Sequence, residues 1–217
     1  MKNISKDNYD GISTCQICHK WFISDDIEAI NNHKKLHKIF LKGVIANKLQ
    51  SDDEIFDDQN FRLIVISPDS SMAQRNRAQR IAKRAHDGTH YDFLSFHAKQ
   101  QSKKNVQLVF VGIIDQHAIT FLVMREINKS MKMSWVELSQ DNPFSKEIPT
   151  NHEKRWCLDM IWTLDKFRGN GYAKLTIEQA LKYLCKPICE IAWLQPFTEK
   201  GILLAKSITQ NEIYIPE

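Results

Sequence analysis

The sequence predicts an α/β domain preceded by a small zinc finger. Three observations carry that prediction: a paired Cys and paired His pattern near the N-terminus, apolar runs alternating with amphipathic stretches from Phe61 onward, and a strand, glycine turn and helix in that order between residues 156 and 184. The chain has 217 residues, 42% hydrophobic and 26% charged, which suffices for one well-buried core and a small appendage. No run approaches the roughly 18 apolar residues of a membrane span. The polar opening MKNISKDNYDGIS lacks the apolar centre of a secretory signal, so an intracellular protein with no membrane partner is expected. Five cysteines, an odd number, do not suggest a disulfide framework in that compartment. A net charge of +4 is too small to imply nucleic-acid binding by itself.

The finger, residues 12–40, comes first. In CQICHKWFISDDIEAINNHKKLH, Cys15 and Cys18 are two residues apart, fourteen residues follow, and His33 and His37 are three residues apart. Two thiolates on a tight turn and two imidazoles one helical turn apart can converge on a tetrahedral Zn²⁺. Ser24, Asp25 and Asp26 are capping residues for a helix running through Ile27, Ile30 and Leu36, which carries both histidines on one side. Asp25 and Asp26 stand where a DNA-reading helix would begin, and that favours a structural finger packed on the next domain over an independent DNA reader.

A connector, residues 41–60, includes the acidic SDDEIFDDQN, and the larger domain spans 61–217. Its first apolar run, FRLIVIS, reads as a strand. Between Met72 and Lys104, Arg75, Arg77, Arg80, Lys83, Arg84, Lys99, Lys103 and Lys104 face only Asp87 and Asp92. Ala78, Ile81, Ala82 and Ala85 follow helical spacing there, so an amphipathic helix with the arginines on its outer face is expected. That face reads either as a solvated surface or as a contact for DNA or an acidic partner through Arg75, Arg77, Arg80 and Arg84. His86 and His90 are spaced like helical ligands, but Asp87-Gly88 between them signals a helix end, and a surface loop is expected rather than a metal site.

VQLVFVGII and AITFLVMRE read as strands joined around Asp115-Gln116-His117. Residues 128–155 show too little periodicity for an element and are expected to form a mobile insertion. The remaining order is strand 156–164, the glycine turn, helix 172–184, strand 188–194, a short helix near 198–206 and a strand at EIYIP. Cys185 and Cys189, either side of Pro187, are expected as buried core thiols.

The turn Arg168-Gly169-Asn170-Gly171-Tyr172-Ala173-Lys174 uses two of the chain's seven glycines. Glycines at a strand-to-helix junction permit positive φ and leave N–H groups uncovered, as an anion at a helix N-terminus requires. A Walker A loop is absent, and the dinucleotide fingerprint lacks its third glycine and its place on a first strand. Arg-Gly-x-Gly-x-Ala after a strand and before a helix resembles the pyrophosphate loop of the GNAT-type N-acetyltransferases, which hold acetyl-coenzyme A (acetyl-CoA). With the finger ahead of it, Ile161-Trp162 before it, and Ala192-Trp193-Leu194-Gln195-Pro196 then Gly201, Leu204 and Ala205 after it, the chain resembles the establishment-of-cohesion (Eco/Esco) acetyltransferases from about Cys15 to its C-terminus.

That resemblance implies a GNAT-type fold with a mixed central sheet, and a nuclear, acetyl-CoA-dependent protein-lysine N-acetyltransferase acting on the cohesin SMC head. It implies coenzyme contacts at Ile161, Trp162 and Thr163, along Arg168, Gly169, Asn170, Gly171, Tyr172, Ala173 and Lys174, and at Phe197, Thr198 and Glu199. Gln195 stands where some relatives use an aspartate; an amide cannot act as a base, which leaves it substrate positioning. Only about eleven residues precede the finger, so recruitment through separate partners is expected.

Chemistry adds its own requirements. A lysine amine, with a pKa near ~10.4, must lose a proton before or during attack on a thioester. N–H donors are needed at the thioester oxygen, where negative charge develops, and exposed backbone of the strand at 158–164 is the expected source. Asp159 shares a strand face with Ile161 and Thr163, so burial raises its pKa unless a nearby Arg or Lys pairs with it. Glu178 flanks the stripe of Ala173, Ile177, Ala180 and Leu181 and matches an acidic position that the resemblance links to catalysis; it also reads as a solvated helix residue. A second function class stays open, a zinc-finger nucleic-acid-binding protein with a degenerate acetyltransferase fold.

Overall fold

The computed structural model describes residues 4–5, 11–18, 20–89, 94–102, 106–139, 149–195 and 197–217. The finger is a three-stranded antiparallel sheet, β1 (Ile4–Ser5), β2 (Ile12–Cys15) and β3 (Trp21–Ile23), followed by helix α1 (Ile27–Lys42). Thr14 opposite Trp21 and Ile12 opposite Ile23 set the register, so the turn that closes this hairpin carries Cys15 and Cys18. Asp26 caps α1 by accepting from the N–H groups of Glu28 at 2.7 Å and Ala29 at 3.3 Å. No side chain of α1 is buried, and Ile12, Trp21, Ile23 and Ile27 are exposed, so apolar packing alone does not hold the finger.

The helix ends at Gly43, where φ is 89° and a Cβ would collide with the Ala118 carbonyl. Only glycine fits that approach. The next residues form β4 (Val44–Ile45), which pairs with β8 (His117–Ile127). The expected connector is therefore part of the main sheet. Its acidic stretch forms β5 (Asp53–Asp57), the edge strand beside β6 (Arg62–Ile66), where charge toward solvent discourages further pairing. Asp52, at the start of that edge, is buried against Arg77 and Arg62.

The large sheet has the order β10-β9-β13-β12-β11-β8-β7-β6-β5, with β4 beside β8. The remaining strands are β7 (Gln107–Ile114), β9 (Ser130–Ser134), β10 (Thr150–Asn151), β11 (Arg155–Thr163), β12 (Ala192–Trp193) and β13 (Glu212–Pro216). The β11–β12 and β12–β13 pairs are parallel and the others antiparallel, which makes the sheet mixed as expected. Asp115 and Gln116, with φ of 45° and 65°, turn β7 into β8; two consecutive positive φ values match the twist of a tight hairpin. Residues 128–155, expected as an insertion without elements, contain β9, helix α3 (Trp135–Leu138) and β10. Strand β9 is held by β13, far along the chain, and so has no local signature. Residues 140–148 of that segment lie outside the described residues.

Helix α2 (Met72–Thr89) buries Ala78, Ile81, Ala82 and Ala85 as predicted, and it runs on through Asp87 and Gly88. The outer-face reading of its arginines fails for two of them. Arg77 and Arg84 are 3% and 4% exposed, because their i, i+4, i+7 spacing with Ile81 puts them on the inward stripe. Arg77 donates to the Asn47 carbonyl at 2.7 Å and ion-pairs with Asp52. Arg75 is half-buried, donating to the carbonyls of Ser70 and Ala98, and Arg80 remains exposed. Helix α4 (Tyr172–Leu184) buries Thr176, Ile177, Ala180 and Leu181, and α5 (Glu199–Ile208) leads into β13. The strand expected at 188–194 shrinks to Ala192–Trp193 after a 3₁₀ turn at Ile188–Glu190.

Candidate active site

Strand β11 is paired unequally on its two edges. Along β8 it pairs from Arg155 to Thr163, but with β12 it pairs only at Cys157–Ala192 and Leu158–Trp193, closed by Leu194 N–H donating to the Leu158 carbonyl at 3.0 Å. Beyond Leu158 no described strand lies on that edge. At this point Leu158 faces Met124 while Met160 faces Val123, so Asp159 is the extra residue of a β-bulge. A bulge redirects the backbone and ends regular pairing, which leaves main-chain groups after Asp159 available to a ligand.

The free edge leads to the glycine turn. Gly169 and Gly171 have φ of 80° and 81°, a Cβ at either would meet nothing within 4 Å, and neither N–H donates a hydrogen bond among the described residues. Gly171 is the N-cap of α4 and supplies no capping side chain; the first turn contains no acid and does contain Lys174. Together these features concentrate donors and positive charge at one point. Arg168 braces the turn, Nε donating to the Thr163 carbonyl at 3.0 Å and Nη1 pairing with Asp165 at 2.7 Å. A buried relay fixes α4 on the sheet: Thr120 Oγ1 accepts from Gly112 N–H and lies 2.9 Å from Thr176 Oγ1, which donates to the Tyr172 carbonyl. Nothing in the local pattern around Thr120 or Thr176 announces that role.

A cavity of about 530 Å³ runs from the free edge over this turn to α5. It gathers all the predicted coenzyme residues except Asn170 and Phe197: Ile161, Trp162, Thr163, Arg168, Gly169, Gly171, Tyr172, Ala173, Lys174, Thr198 and Glu199 line it. Phe197 instead packs on Trp135, ring centroids 5.8 Å apart. Phe167 and Lys200 are lining residues that the sequence reading missed; Lys200 lies in the first turn of α5, where its charge can reach an anion. Thr163 Oγ1 is buried with no hydrogen-bond partner among the described residues. A larger cavity, about 1070 Å³, opens at the other end of β11 around Arg155, Trp156 and Tyr214. It touches neither the glycine turn nor the unpaired edge, so the smaller one is the candidate site.

The two candidate carboxylates stand in different surroundings. Asp159 is 9% exposed and held by Arg125 through both oxygens, Nε to Oδ2 at 2.9 Å and Nη2 to Oδ1 at 3.1 Å. The Asp159 hydrogen bonds raise the pKa of Arg125 against the opposing effect of burial. Glu178 is half exposed on α4, 4.0 Å from Lys174 Nζ, one turn beyond the cavity lining. It borders a shallow depression with Leu181, Lys182 and Ile188. Gln195 is half-buried just past β12.

In the finger, the ligand atoms of Cys15, His33 and His37 all lie within 4.8 Å of one another. Tetrahedral bonds of about 2.0–2.3 Å set ligand atoms roughly 3.3–3.8 Å apart, a small contraction from this arrangement. Among the described residues His37 Nε2 is buried without a hydrogen-bond partner, and His33 stacks on Phe22 with ring centroids 4.3 Å apart. Burial, then the neighbouring His37, lowers the pKa of His33, which favours the neutral form that a metal needs. Burial raises the Cys15 thiol pKa, but hydrogen bonds from the N–H groups of Cys18 and Ile17 and from the Cys18 thiol outweigh it, and the net shift is downward. The Cys18 thiol is buried and adjoins that of Cys15 but falls outside the three-residue group. The donor set fits a soft, four-coordinate ion such as Zn²⁺, which would hold the hairpin to α1.

Cys185 and Cys189 are exposed, not buried: Cys185 is the left-handed C-cap of α4, φ 51°, and Cys189 sits in the 3₁₀ turn. Cys157 is the buried thiol of the large domain. His90, Asp92, Lys103, Lys104 and Pro196 lie outside the described residues. A DNA-contacting face built on Arg75, Arg77, Arg80 and Arg84 does not form, since Arg77 and Arg84 point inward, and Asp26 is occupied in capping α1.

No family model matches this sequence, and no curated protein matches it. Solved structures do match in fold. The xEco2 acetyltransferase domain bound to a K105-CoA conjugate superposes with a TM-score of 0.61 at 14% identity, covering 77% of this chain and 98% of that one. The xEco2 acetyltransferase domain in a second structure gives a TM-score of 0.58 at 12% identity, with 78% and 98% covered. This chain thus has the fold of those domains, a mixed α/β fold as the resemblance implied.

Proposed function

We propose that this protein is an acetyltransferase that uses acetyl-CoA and acetylates a lysine amine on a protein, the cohesin SMC head in the nucleus being the intended substrate. The observation that carries the reading is the continuity of one cavity from the unpaired edge of β11 to the open N–H groups of Gly169 and Gly171. A pyrophosphate bound at the turn and a pantetheine arm laid along β11 would occupy that shape. Support for the cohesin assignment comes from the resemblance in sequence and from the order of finger, loop and Ala192-Trp193-Leu194-Gln195 segment.

Each part of the chain then has a task. Gly169, Gly171 and Lys174 bind the diphosphate charge. The edge after Asp159 aligns the arm and offers N–H groups to the thioester oxygen. Acetyl-CoA, when bound, supplies the activated acetyl group. Asp159, with both oxygens engaged by Arg125, holds the bulge in shape. Glu178, whose carboxylate has no bidentate partner among the described residues, takes the amine proton through water. The finger, with Zn²⁺ held by Cys15, Cys18, His33 and His37, braces the sheet from the β4 side.

The deciding experiment is calorimetric titration with acetyl-CoA, followed by mass spectrometry of a cohesin SMC head domain incubated with enzyme and acetyl-CoA. Binding with lysine acetylation of the head is the expected result. Binding without acetylation of the head, but with acetylation of another acceptor, would remove cohesin and keep the transferase. No binding would remove both.

A further inference from the structure

Arg84 lies where three parts of the molecule meet. It projects from α2, and its Nη2 donates to the Phe40 carbonyl in the last turns of the finger helix at 3.0 Å. Its guanidinium carbon stands 4.2 Å from the centroid of the Phe40 ring and 5.3 Å from that of Trp162, whose residue lines the candidate coenzyme cavity. Among the described residues no carboxylate pairs with it, and its Nε and Nη1 are buried without hydrogen-bond partners. A cation in this position is expensive to bury, and an apolar residue of similar length would fill the space without that penalty. What the guanidinium adds is a rigid plane that faces two aromatic rings and bonds the finger backbone at the same time.

The finger side of this contact would depend on the Zn²⁺ that the finger residues fit. With no buried side chain of its own, α1 lacks the packing that would keep it folded once its histidines lose an ion. A second contact runs alongside: Gly43, at the end of α1, fits against the Ala118 carbonyl and the Leu164 side chain, one residue past Thr163. Loss of order in α1 therefore reaches the C-terminal end of the strand that bears Trp162 at two points.

We propose that Arg84 is a positioning residue that couples the metal-bound finger to the coenzyme cleft, clamping Trp162 against the finger helix so that metal loss weakens coenzyme binding. The proposal rests on reading the cleft as an acetyl-CoA site. Its test compares wild type, Arg84→Met and Phe40→Leu, each with zinc and after chelation. One readout is the indole N–H resonance of Trp162, assigned with Trp162→Phe; the other is acetyl-CoA affinity by calorimetry. In wild type, chelation moves the Trp162 resonance and weakens binding by roughly tenfold, a usual size for coupling between sites. In Arg84→Met, binding is already weak with zinc present, and chelation changes it by less than about twofold, as expected once the shared link is gone. Phe40→Leu keeps the guanidinium buried and removes one ring face, and it gives an intermediate loss if Arg84→Met does not fold. Chelation that disorders the finger but leaves Trp162 and affinity unmoved overturns the coupling, and so does a tenfold chelation effect that survives in Arg84→Met. If no form binds acetyl-CoA, the reading of the cleft fails, and the Trp162 resonance alone decides the coupling.

Discussion

Replacing Gly171 by glutamate strikes the turn without touching its packing. A Cβ there meets nothing within 4 Å, and φ is 81°, so the unliganded cost is backbone strain, roughly 1–2 kcal/mol for a left-handed non-glycine residue. The domain should stay folded. With ligand present, the new carboxylate stands beside the diphosphate. Two like charges about 4 Å apart cost about 1 kcal/mol in water and about 4 kcal/mol at an effective dielectric of about 20. For two phosphate charges in an open cleft, roughly 2–4 kcal/mol follows, or about a 30- to 1000-fold rise in Kd. Gly171→Ala carries the strain without the charge and should lose only about a few-fold in affinity. Calorimetry with acetyl-CoA at low and high salt measures both, and the glutamate penalty should shrink with salt because an open site is screened. A folded Gly171→Glu protein with wild-type affinity would refute the anion-binding role of the turn. Equal losses for alanine and glutamate would mean that backbone shape, not charge, is what the site needs.

Metal analysis of purified protein should find one zinc ion per chain, and Cys15→Ala or His37→Ala should lose it together with amide protection in α1; a stoichiometry near zero would end the finger assignment. At Asp52, burial alone would raise the carboxyl pKa, but hydrogen bonds from Arg77 and Leu49 N–H and the charges of Arg77 and Arg62 hold it below the usual range. A depressed folded pKa adds stability above the unfolded value of about 3.9, lost as pH falls through the folded one. Asp52→Ala, which leaves Arg77 buried and uncompensated, should cost about 3–5 kcal/mol at pH 7 in urea unfolding and less at pH 3. Equal losses at both pH values would contradict that linkage. Glu178→Gln should keep coenzyme affinity and lower kcat by roughly 10²–10⁴-fold, with Asp159→Asn doing less to kcat and more to thermal stability. If single-turnover rates at pH 6 to 9 show the reverse order, Asp159 carries the proton despite its Arg125 partner, and near wild-type rates for both leave the proton to bulk water.

Much of this molecule follows from contacts between near neighbours in the chain, and there the sequence sufficed. The hairpin turn that carries Cys15 and Cys18, the capping Asp26, the strand, turn and helix around Gly169 and Gly171, and the bounds of α4 at Tyr172 and Leu184 all depend on a few adjacent residues. Tertiary structure decided what depends on distant partners. Whether the charge on Arg77 and Arg84 faced water or the interior turned on Asp52, Phe40 and Trp162, none within one helical turn of them. The acidic stretch at Asp53–Asp57 is an edge strand because β6 pairs with it, and Ser130–Ser134 is a strand because β13 returns beside it. Arg125 reaches Asp159 from the neighbouring strand, and the usable edge of β11 exists because β12 stops pairing at Trp193. Side-chain pattern fixes local conformation through sterics and backbone hydrogen bonds, whereas burial of a charge and vacancy of a strand edge are set by which remote segments arrive, and only the folded chain brings those segments together.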